Sequence, residues 1–361
     1  MSFHSCLLCE TVPLSAGDAL LVLNSAADPF VPFAFQQLET ETITLAQDNI
    51  AVLQEVRLAL TNLRKEHQHS LPRIEHVAFH DYLLHQPAST HDLAVMNLLY
   101  QPANAWSLYG LQVAFMALKP GGSLYILGAK DRGILTMAKR MGDLFGNVET
   151  LDISKGQRVV CAHKSAPVNL PCADPVQTRE AAHDTGPLDL STHIFAASKL
   201  DDGTRLLLDA LKVRATDNAL DLGCGAGFIG LHIAHLADKG LVTMVDASLA
   251  AVAVAQRAVT QSNLKNIRVL PSDSVQAVIA ERFDLVATNP PFHQGGVQTT
   301  HIAERFIQDA ANVLQPDGRF YLVANRFLKY EPTLTACFKQ VQEVIGNSRY
   351  KVLCATNKIG K

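Results

Sequence analysis

Long apolar runs are missing from this 361-residue sequence, and none approaches the roughly 20 residues that a bilayer-spanning helix needs. Charge is also scarce, with 18% Asp, Glu, Lys and Arg against 48% apolar residues, so the chain has material for buried cores and no disordered composition. The start, Met1-Ser2-Phe3-His4-Ser5-Cys6, lacks the basic residues and small-residue cleavage site of a signal peptide, and we read the chain as cytoplasmic. Seven cysteines, an odd number spread over both halves, fit reduced thiols better than a disulfide framework. Cys6 and Cys9 form a CxxC with no second pair nearby to complete a zinc site. His76 and His80, in a stretch with His85 and His91, lack the glutamate of an HExxH arrangement, so no metal site is expected. The net charge of −3 argues against a protein that coats nucleic acid nonspecifically. That charge divides into +3 from residue 190 onward and −6 before it, so a nucleic acid would meet local patches of the C-terminal half.

What is present is an alternation of strand-like and helix-like segments. In the C-terminal half, residues 219–222, 241–245, 267–270, 285–287 and 320–323 read as strands, and 228–237, 249–261 and 303–314 as helices. That rhythm predicts a mostly parallel, doubly wound α/β sheet. The N-terminal half carries a faint copy. The run His91-Asp92-Leu93-Ala94-Val95-Met96-Asn97-Leu98-Leu99-Tyr100 aligns without a gap on Phe283-Asp284-Leu285-Val286-Ala287-Thr288-Asn289-Pro290-Pro291-Phe292, and residues 117–127 align on 313–323. Val160-Cys161-Ala162 likewise echoes Leu353-Cys354-Ala355. The sequence therefore predicts two tandem Rossmann-like domains from a duplication. The N-terminal one (1–165) is degenerate, a linker at 166–190 carries Pro167, Pro171, Pro175 and Pro187, and the catalytic domain occupies 191–361. In the N-terminal copy the strand 19–23 runs into Asn24-Ser25-Ala26-Ala27-Asp28-Pro29, with no glycine, so that copy is expected to bind no cofactor.

Asp221-Leu222-Gly223-Cys224-Gly225-Ala226-Gly227 closes a strand and opens a helix. Glycines at alternate positions let the chain turn tightly against a ligand, and the carboxylate before the first glycine can anchor an amino group. The next strand ends at Asp246, where an acid accepts hydrogen bonds from ribose hydroxyls, and the third leads to Asp273, placed to meet an adenine amino group. A dinucleotide fingerprint would need glycine where Phe228 stands. With Cys224 inside it, the loop resembles the first motif of the class I methyltransferases, which implies S-adenosylmethionine as cofactor.

Asn289-Pro290-Pro291-Phe292 follows a strand, at the carboxyl edge where open α/β sheets bind ligands. An exocyclic or amide amine is a weak nucleophile because its lone pair is delocalised. The Asn289 side-chain oxygen and the Pro290 carbonyl can each accept one of its N–H bonds, and Asn289 also borders the cofactor. Phe292 offers a ring face for a planar group. Together the two loops resemble the amino-methyltransferases with a (D/N/S)PP(Y/F) motif, over residues about 191–361. The NPPF form followed by His293, the approach segment through Thr192-His193-Ile194-Phe195 and residues 199–208, and the degenerate N-terminal copy narrow this to bacterial ribosomal-RNA guanine-N2 methyltransferases. The small-subunit type (RsmC) is favoured over the large-subunit type (RlmG). The resemblance implies that Asn289 and Pro290 hold a guanine amine, that Phe292 stacks the base, and that ribosomal RNA or a ribosomal subunit is the partner of a monomer. A protein-glutamine methyltransferase is the nearest rival, although an NPPY loop and a helical N-terminal domain would be expected of it. A DNA-adenine enzyme and a catalytically silent RNA-binding or assembly module are further alternatives. Lys199, Arg326 and Lys329, or Lys130, Arg132, Lys139 and Arg140, are the cations that could meet RNA.

Overall fold

The computed structural model describes residues 3–39, 42–66, 71–165, 200–291, 293–294, 297–298 and 300–359. The chain divides into two compact units, Met1–Leu190 and Ser191–Lys361. The expected linker lies outside the described residues.

The N-terminal unit runs α1 (Phe3–Thr11), β1 (Leu20–Leu23), α2 (Phe30–Gln37), β2 (Thr42–Gln47), α3 (Ile50–Glu66), β3 (Arg73–Ala78), α4 (Tyr82–His85), β4 (His91–Asn97), α5 (Asn104–Ala117), β5 (Leu118–Ala129), α6 (Ile134–Phe145), β6 (Glu149–Ser154) and β7 (Gln157–His163). Its sheet has the order β3-β2-β1-β4-β5-β7-β6. The C-terminal unit runs α7 (Asp202–Ala210), β8 (Ala219–Leu222), α8 (Phe228–Leu236), β9 (Val242–Asp246), α9 (Leu249–Ser262), β10 (Ile267–Pro271), β11 (Phe283–Thr288), β12 (His293–Gln294), β13 (Val297–Gln298), α10 (His301–Val313), β14 (Leu314–Asn325), α11 (Glu331–Cys337), β15 (Phe338–Gly346) and β16 (Tyr350–Lys358). Its sheet has the order β10-β9-β8-β11-β14-β16-β15, the same plan with every strand in the corresponding place.

In each sheet five strands are parallel, and the closing hairpin, β6–β7 or β15–β16, is antiparallel. The strand pattern read from the sequence contains no such hairpin. The reason is plain in β15: from Lys339 onward its residues are exposed or half-buried, so this edge strand carries no apolar run. The helix expected over 303–314 ends at Val313, and Leu314 already belongs to β14, because Pro316 holds the residue before it out of helical conformation.

Side chains of β8, β11 and β14 alternate between two cores. Leu220, Leu222, Val286, Phe320 and Leu322 pack beneath α10 and α11, while Ala219, Leu285, Ala287, Tyr321 and Val323 pack beneath α7 and α8. A sheet buried on both faces explains the near-continuous apolar strands. The strand order reverses between β8 and β11, and the crevice above their carboxyl ends is where a doubly wound sheet takes its ligand.

The two copies agree down to register. His91 pairs with Leu118 and, after a bulge, Leu93 with Ser123. In the other copy Phe283 pairs with Leu314 and, after the same bulge, Leu285 with Arg319. Asp92 accepts a hydrogen bond from the Ala19 N–H at 3.0 Å, and Asp284 accepts from Asn218 at 2.9 Å.

Candidate active site

The loop after β8 has Gly223, Gly225 and Gly227 at φ of 74°, 52° and 89°, a left-handed region that costs glycine little. At Gly223 a Cβ would also lie 2.9 Å from the Phe306 ring. The loop is tethered from below, where the Gly223 and Cys224 N–H groups donate to the Val245 carbonyl at 2.9 and 3.0 Å. Asp246, half-buried at the end of β9, accepts from the Gly225 N–H through one oxygen and from the Ser248 N–H through the other, both at 2.9 Å. Burial raises the Asp246 carboxyl above its ordinary range, against the pull of these N–H donors. Cys224 is buried, and burial with the charges of Asp246 and Asp221 pushes its thiol well up, which keeps it neutral.

Asp221 is fully buried at the base of this loop. Its Oδ2 accepts from the Gly230 N–H at 2.8 Å, while its Oδ1 has no partner among the described residues. An unpaired buried carboxylate oxygen is costly, and burial accordingly pushes this carboxyl up to about 7. It suits a cationic donor arriving with a ligand.

Asn289 follows β11, whose last residue, Thr288, donates its hydroxyl to the Leu222 carbonyl at 2.7 Å and so ties the two loops together. The Asn289 amide nitrogen donates to Thr204 Oγ1 at 2.9 Å and to Asp201 Oδ2 at 3.4 Å. Asp201 caps α7 by accepting from the Gly203 and Thr204 N–H groups, and the Thr204 hydroxyl donates to it as well. With its NH2 committed, Asn289 is left with its carbonyl oxygen as the group to offer. Thr204, Gly223, Cys224, Ala226, Phe228, Ile229 and Asn289 line one cleft, so the two loops meet in space as the sequence implies.

Pro290 is buried and Pro291 exposed. Phe292 lies outside the described residues, as does Lys199. Asp273 stands beyond β10, whose Pro271 pairs with Asp246, but its Oδ2 accepts from Arg305 of α10 at 2.7 Å. Arg326 is held by Glu343 at 2.7 Å, whereas Lys329 is exposed beside Phe327, a ring 61% exposed just past β14. Asp201, Thr204, Arg305 and Phe327 have no role in the sequence reading. Only the position of Asp201 and Thr204 within the approach segment could have drawn notice to them.

The bond from Thr204 carries a testable consequence. Thr204→Val keeps the shape and removes the acceptor, freeing the Asn289 amide to turn. One hydrogen bond of about 1.4 kcal/mol corresponds to about a tenfold fall in kcat, with cofactor affinity unchanged. Single-turnover rates check it, and Thr204→Ser should restore the wild-type rate.

In the N-terminal unit the corresponding crevice is filled by side chains. Asn24, at φ 46°, takes the place of Gly223, and Gln47, in place of Asp246, accepts from the Ala26 N–H at 3.1 Å. Gln47 also donates to Asn24 Oδ1 at 3.0 Å. Asn97, the counterpart of Asn289, donates to Asp28 at 2.7 Å. Gln101 donates to the carbonyls of Leu23 and Asn97, each at 3.2 Å. These groups are buried and satisfy one another.

Residues 188–354 match the family described as Methyltransferase small domain. A Hahella chejuensis protein named Ribosomal RNA small subunit methyltransferase C is 34% identical over 245 residues, covering 67% of this chain and 71% of its own length. A Shewanella baltica protein of the same name is 29% identical over 338 residues, 92% of each chain. A solved structure of the T. thermophilus 16S rRNA N2 G1207 methyltransferase (RsmC), in complex with AdoMet and guanosine, is 28% identical, with a TM-score of 0.77 over 98% of this chain and 91% of that one.

Proposed function

The chain belongs to the ribosomal RNA small subunit methyltransferase C family, and on that premise we propose that it transfers a methyl group from S-adenosylmethionine to N2 of a guanine in 16S rRNA. The observation that carries the reading is the Asn289 amide, fixed by Thr204 and Asp201 on the wall of a cleft that the glycine loop completes. The residues present fit the cofactor: Asp221 keeps a buried oxygen without a partner, and the loop at Gly223 has no room for a Cβ. When bound, S-adenosylmethionine supplies an electrophilic methyl group on a sulfonium.

The rest belongs to the chain. Asp221 would hold the cofactor's ammonium group, Asp246 its ribose hydroxyls, and Asp273, steadied by Arg305, its adenine amine. Asn289 Oδ1 and the Pro290 carbonyl would accept the two N–H bonds of the guanine amine. That holds the nitrogen in line and favours the positive charge that grows on it. No strong base is required, because the amine proton becomes acidic once the methyl is attached. Phe292 would stack on the extruded base, which must leave its pair for N2 to be reached, and Lys329 and Phe327, exposed just past the carboxyl end of β14, would meet RNA. The N-terminal unit, its crevice closed by Asn24, Gln47 and Asn97, assists folding or RNA docking without cofactor. No described helix is long and apolar enough to cross a membrane. We take the enzyme to act as a cytoplasmic monomer, with no metal in the transfer step.

The Asp221 carboxyl, raised to about 7 by burial and the nearby Asp246 charge, sets a pH dependence. Below that pH it is protonated in the free protein and cannot receive an ammonium ion, so binding must expel a proton. Affinity for the cofactor should therefore rise with pH through about 7, by about tenfold between pH 6 and pH 8. Calorimetric titration at several pH values would show it, and Asp221→Asn should flatten the profile. The same raised pKa makes the free protein hold a proton that the unfolded chain has lost. Its stabilising contribution is thus present below about pH 4 and is lost as pH rises towards 7.

The functional test offers tritiated S-adenosylmethionine with free rRNA, small subunits and large subunits from cells lacking this protein. Label recovered as N2-methylguanosine from small-subunit RNA is the expected result. Label confined to the large subunit, or to a release-factor glutamine, would overturn it, as would cofactor binding without transfer to any of these.

A further inference from the structure

The closing hairpin of the N-terminal unit carries a group of donors that its counterpart lacks. Cys161 and His163 are two apart on β7 and so face the same side, and Glu149 on β6 lies directly opposite Cys161 in the antiparallel register. Their donor atoms fall within 4.8 Å of one another. Cys161 Sγ is 3.9 Å from His163 Nε2, which is 3.6 Å from Glu149 Oε1. Around a tetrahedral zinc ion, with Zn–S of about 2.3 Å and Zn–N and Zn–O of about 2.0 Å, such edges are about 3.3–3.6 Å, so the two edges at His163 need a shift of a few tenths of an ångström and the Cys161–Glu149 edge closes from within 4.8 Å.

The histidine is also prepared. Its Nδ1 lies 2.8 Å from Ser123 Oγ on β5, and with the ring proton there, the Nε2 lone pair faces the sulfur and the carboxylate. Asn147 fixes the backbone at the same point, accepting from the His163 N–H at 2.8 Å and donating to its carbonyl at 2.7 Å. A ring locked on its far side, with its free nitrogen turned to a thiol and a carboxylate, is the arrangement metal-binding histidines use.

The duplication supplies an internal comparison. Both hairpins keep the cysteine and the tyrosine paired with it in register, Cys161 with Tyr125 and Cys354 with Tyr321. At the other two positions the C-terminal unit has Gln342 opposite Cys354, and Thr356. The N-terminal unit has exchanged these for Glu149 and His163, the two changes that turn a structural Tyr–Cys pair into a three-donor set.

We propose that Glu149, Cys161 and His163 bind a zinc ion that staples the edge strand β6 to β7. The cation takes the thiolate, the His163 Nε2 lone pair and a carboxylate oxygen, the thiol proton leaves to solvent, and water completes the tetrahedron. No spacing in the sequence announces such a site, because strand pairing and not a CxxC or HxxxH repeat brings the donors together. The site belongs to the N-terminal unit, the one expected to bind no cofactor.

The test uses the full chain, stripped with a chelator and titrated with Co2+. One equivalent should bind with the near-ultraviolet thiolate-to-cobalt band, and Zn2+ should displace it. The double variant E149Q/H163T installs the residues that the other hairpin already carries, so it should fold and methylate as the wild type does. Its Co2+ affinity should fall by at least about tenfold, with loss of the thiolate band. Zinc-edge X-ray absorption of the unmodified protein is independent of any variant, and should show one sulfur with nitrogen and oxygen neighbours. Absence of a thiolate band in the wild type, its survival in the double variant, or a shell of two or more sulfurs would each overturn the site. The last result would place the metal on other cysteines, Cys6 and Cys9 first.

Discussion

Replacing Asn289 with alanine should lower kcat by about 10²–10³-fold while leaving cofactor affinity within severalfold of wild type. The asymmetry follows from where the residue is held. Its NH2 group is spent on Thr204 and Asp201, so the alanine variant removes the oxygen proposed to accept from the amine without disturbing the glycine loop, which hangs from Val245 and Asp246. Removing one preorganised group that favours charge developing in the transition state costs about 3–4 kcal/mol, all of it in the chemical step. Rapid-quench single turnovers, with cofactor binding measured separately, distinguish this from a loss of affinity. A variant that binds cofactor weakly yet turns over at the wild-type rate when saturated would show that Asn289 is part of the cofactor site only.

Asp246→Ala should have the opposite signature, with cofactor affinity falling by about 10²–10³-fold. Two losses combine. The Gly225 N–H loses the acceptor that holds the loop's middle glycine in its left-handed conformation, and the ribose hydroxyls lose the charged acceptor proposed for them. Hydrogen bonds to a charged group contribute about 1.5–3 kcal/mol each, and two near the low end of that span, about 3–4 kcal/mol together, give the stated range. The Ser248 N–H, which also donates to Asp246, opens α9, so a modest fall in thermal stability should accompany the change. Calorimetric titration of the purified variant decides the matter, and an unchanged Kd would remove Asp246 from the site.

The parts of this site legible in the sequence are those that local chemistry dictates. Three glycines at alternate positions predict a left-handed, ligand-accepting turn, and φ is positive at all three. Asp246 and Asn289 were legible because each ends a short apolar strand on the same sheet edge. What escaped was set by pairings between distant residues: Thr204 reaches Asn289 across 85 positions, and Arg305 reaches Asp273 across 32. Neither pair has a spacing that propensity or periodicity could reveal. The antiparallel hairpins escaped for a different reason. An edge strand such as β15 is specified by its partner's hydrogen bonds and not by an apolar pattern of its own. The duplication was visible as two ungapped matches, but its depth, down to a shared bulge between the fourth and fifth strands, required the register.

The side chains that close the N-terminal crevice act as an evolutionary ratchet. Restoring glycine at Asn24 would take the acceptor from the Gln47 amide and from the Asp48 N–H. Restoring it at Asp28 would take the acceptor from the Asn97 amide and the Phe30 N–H. Each reversal strands buried donors at a cost of about 1–3 kcal/mol, before any ligand is bound to offset it. A domain whose whole stability is about 5–15 kcal/mol cannot cross several such steps in succession. With the crevice filled and its polar groups satisfying one another, the fold resists each single step back toward a glycine loop.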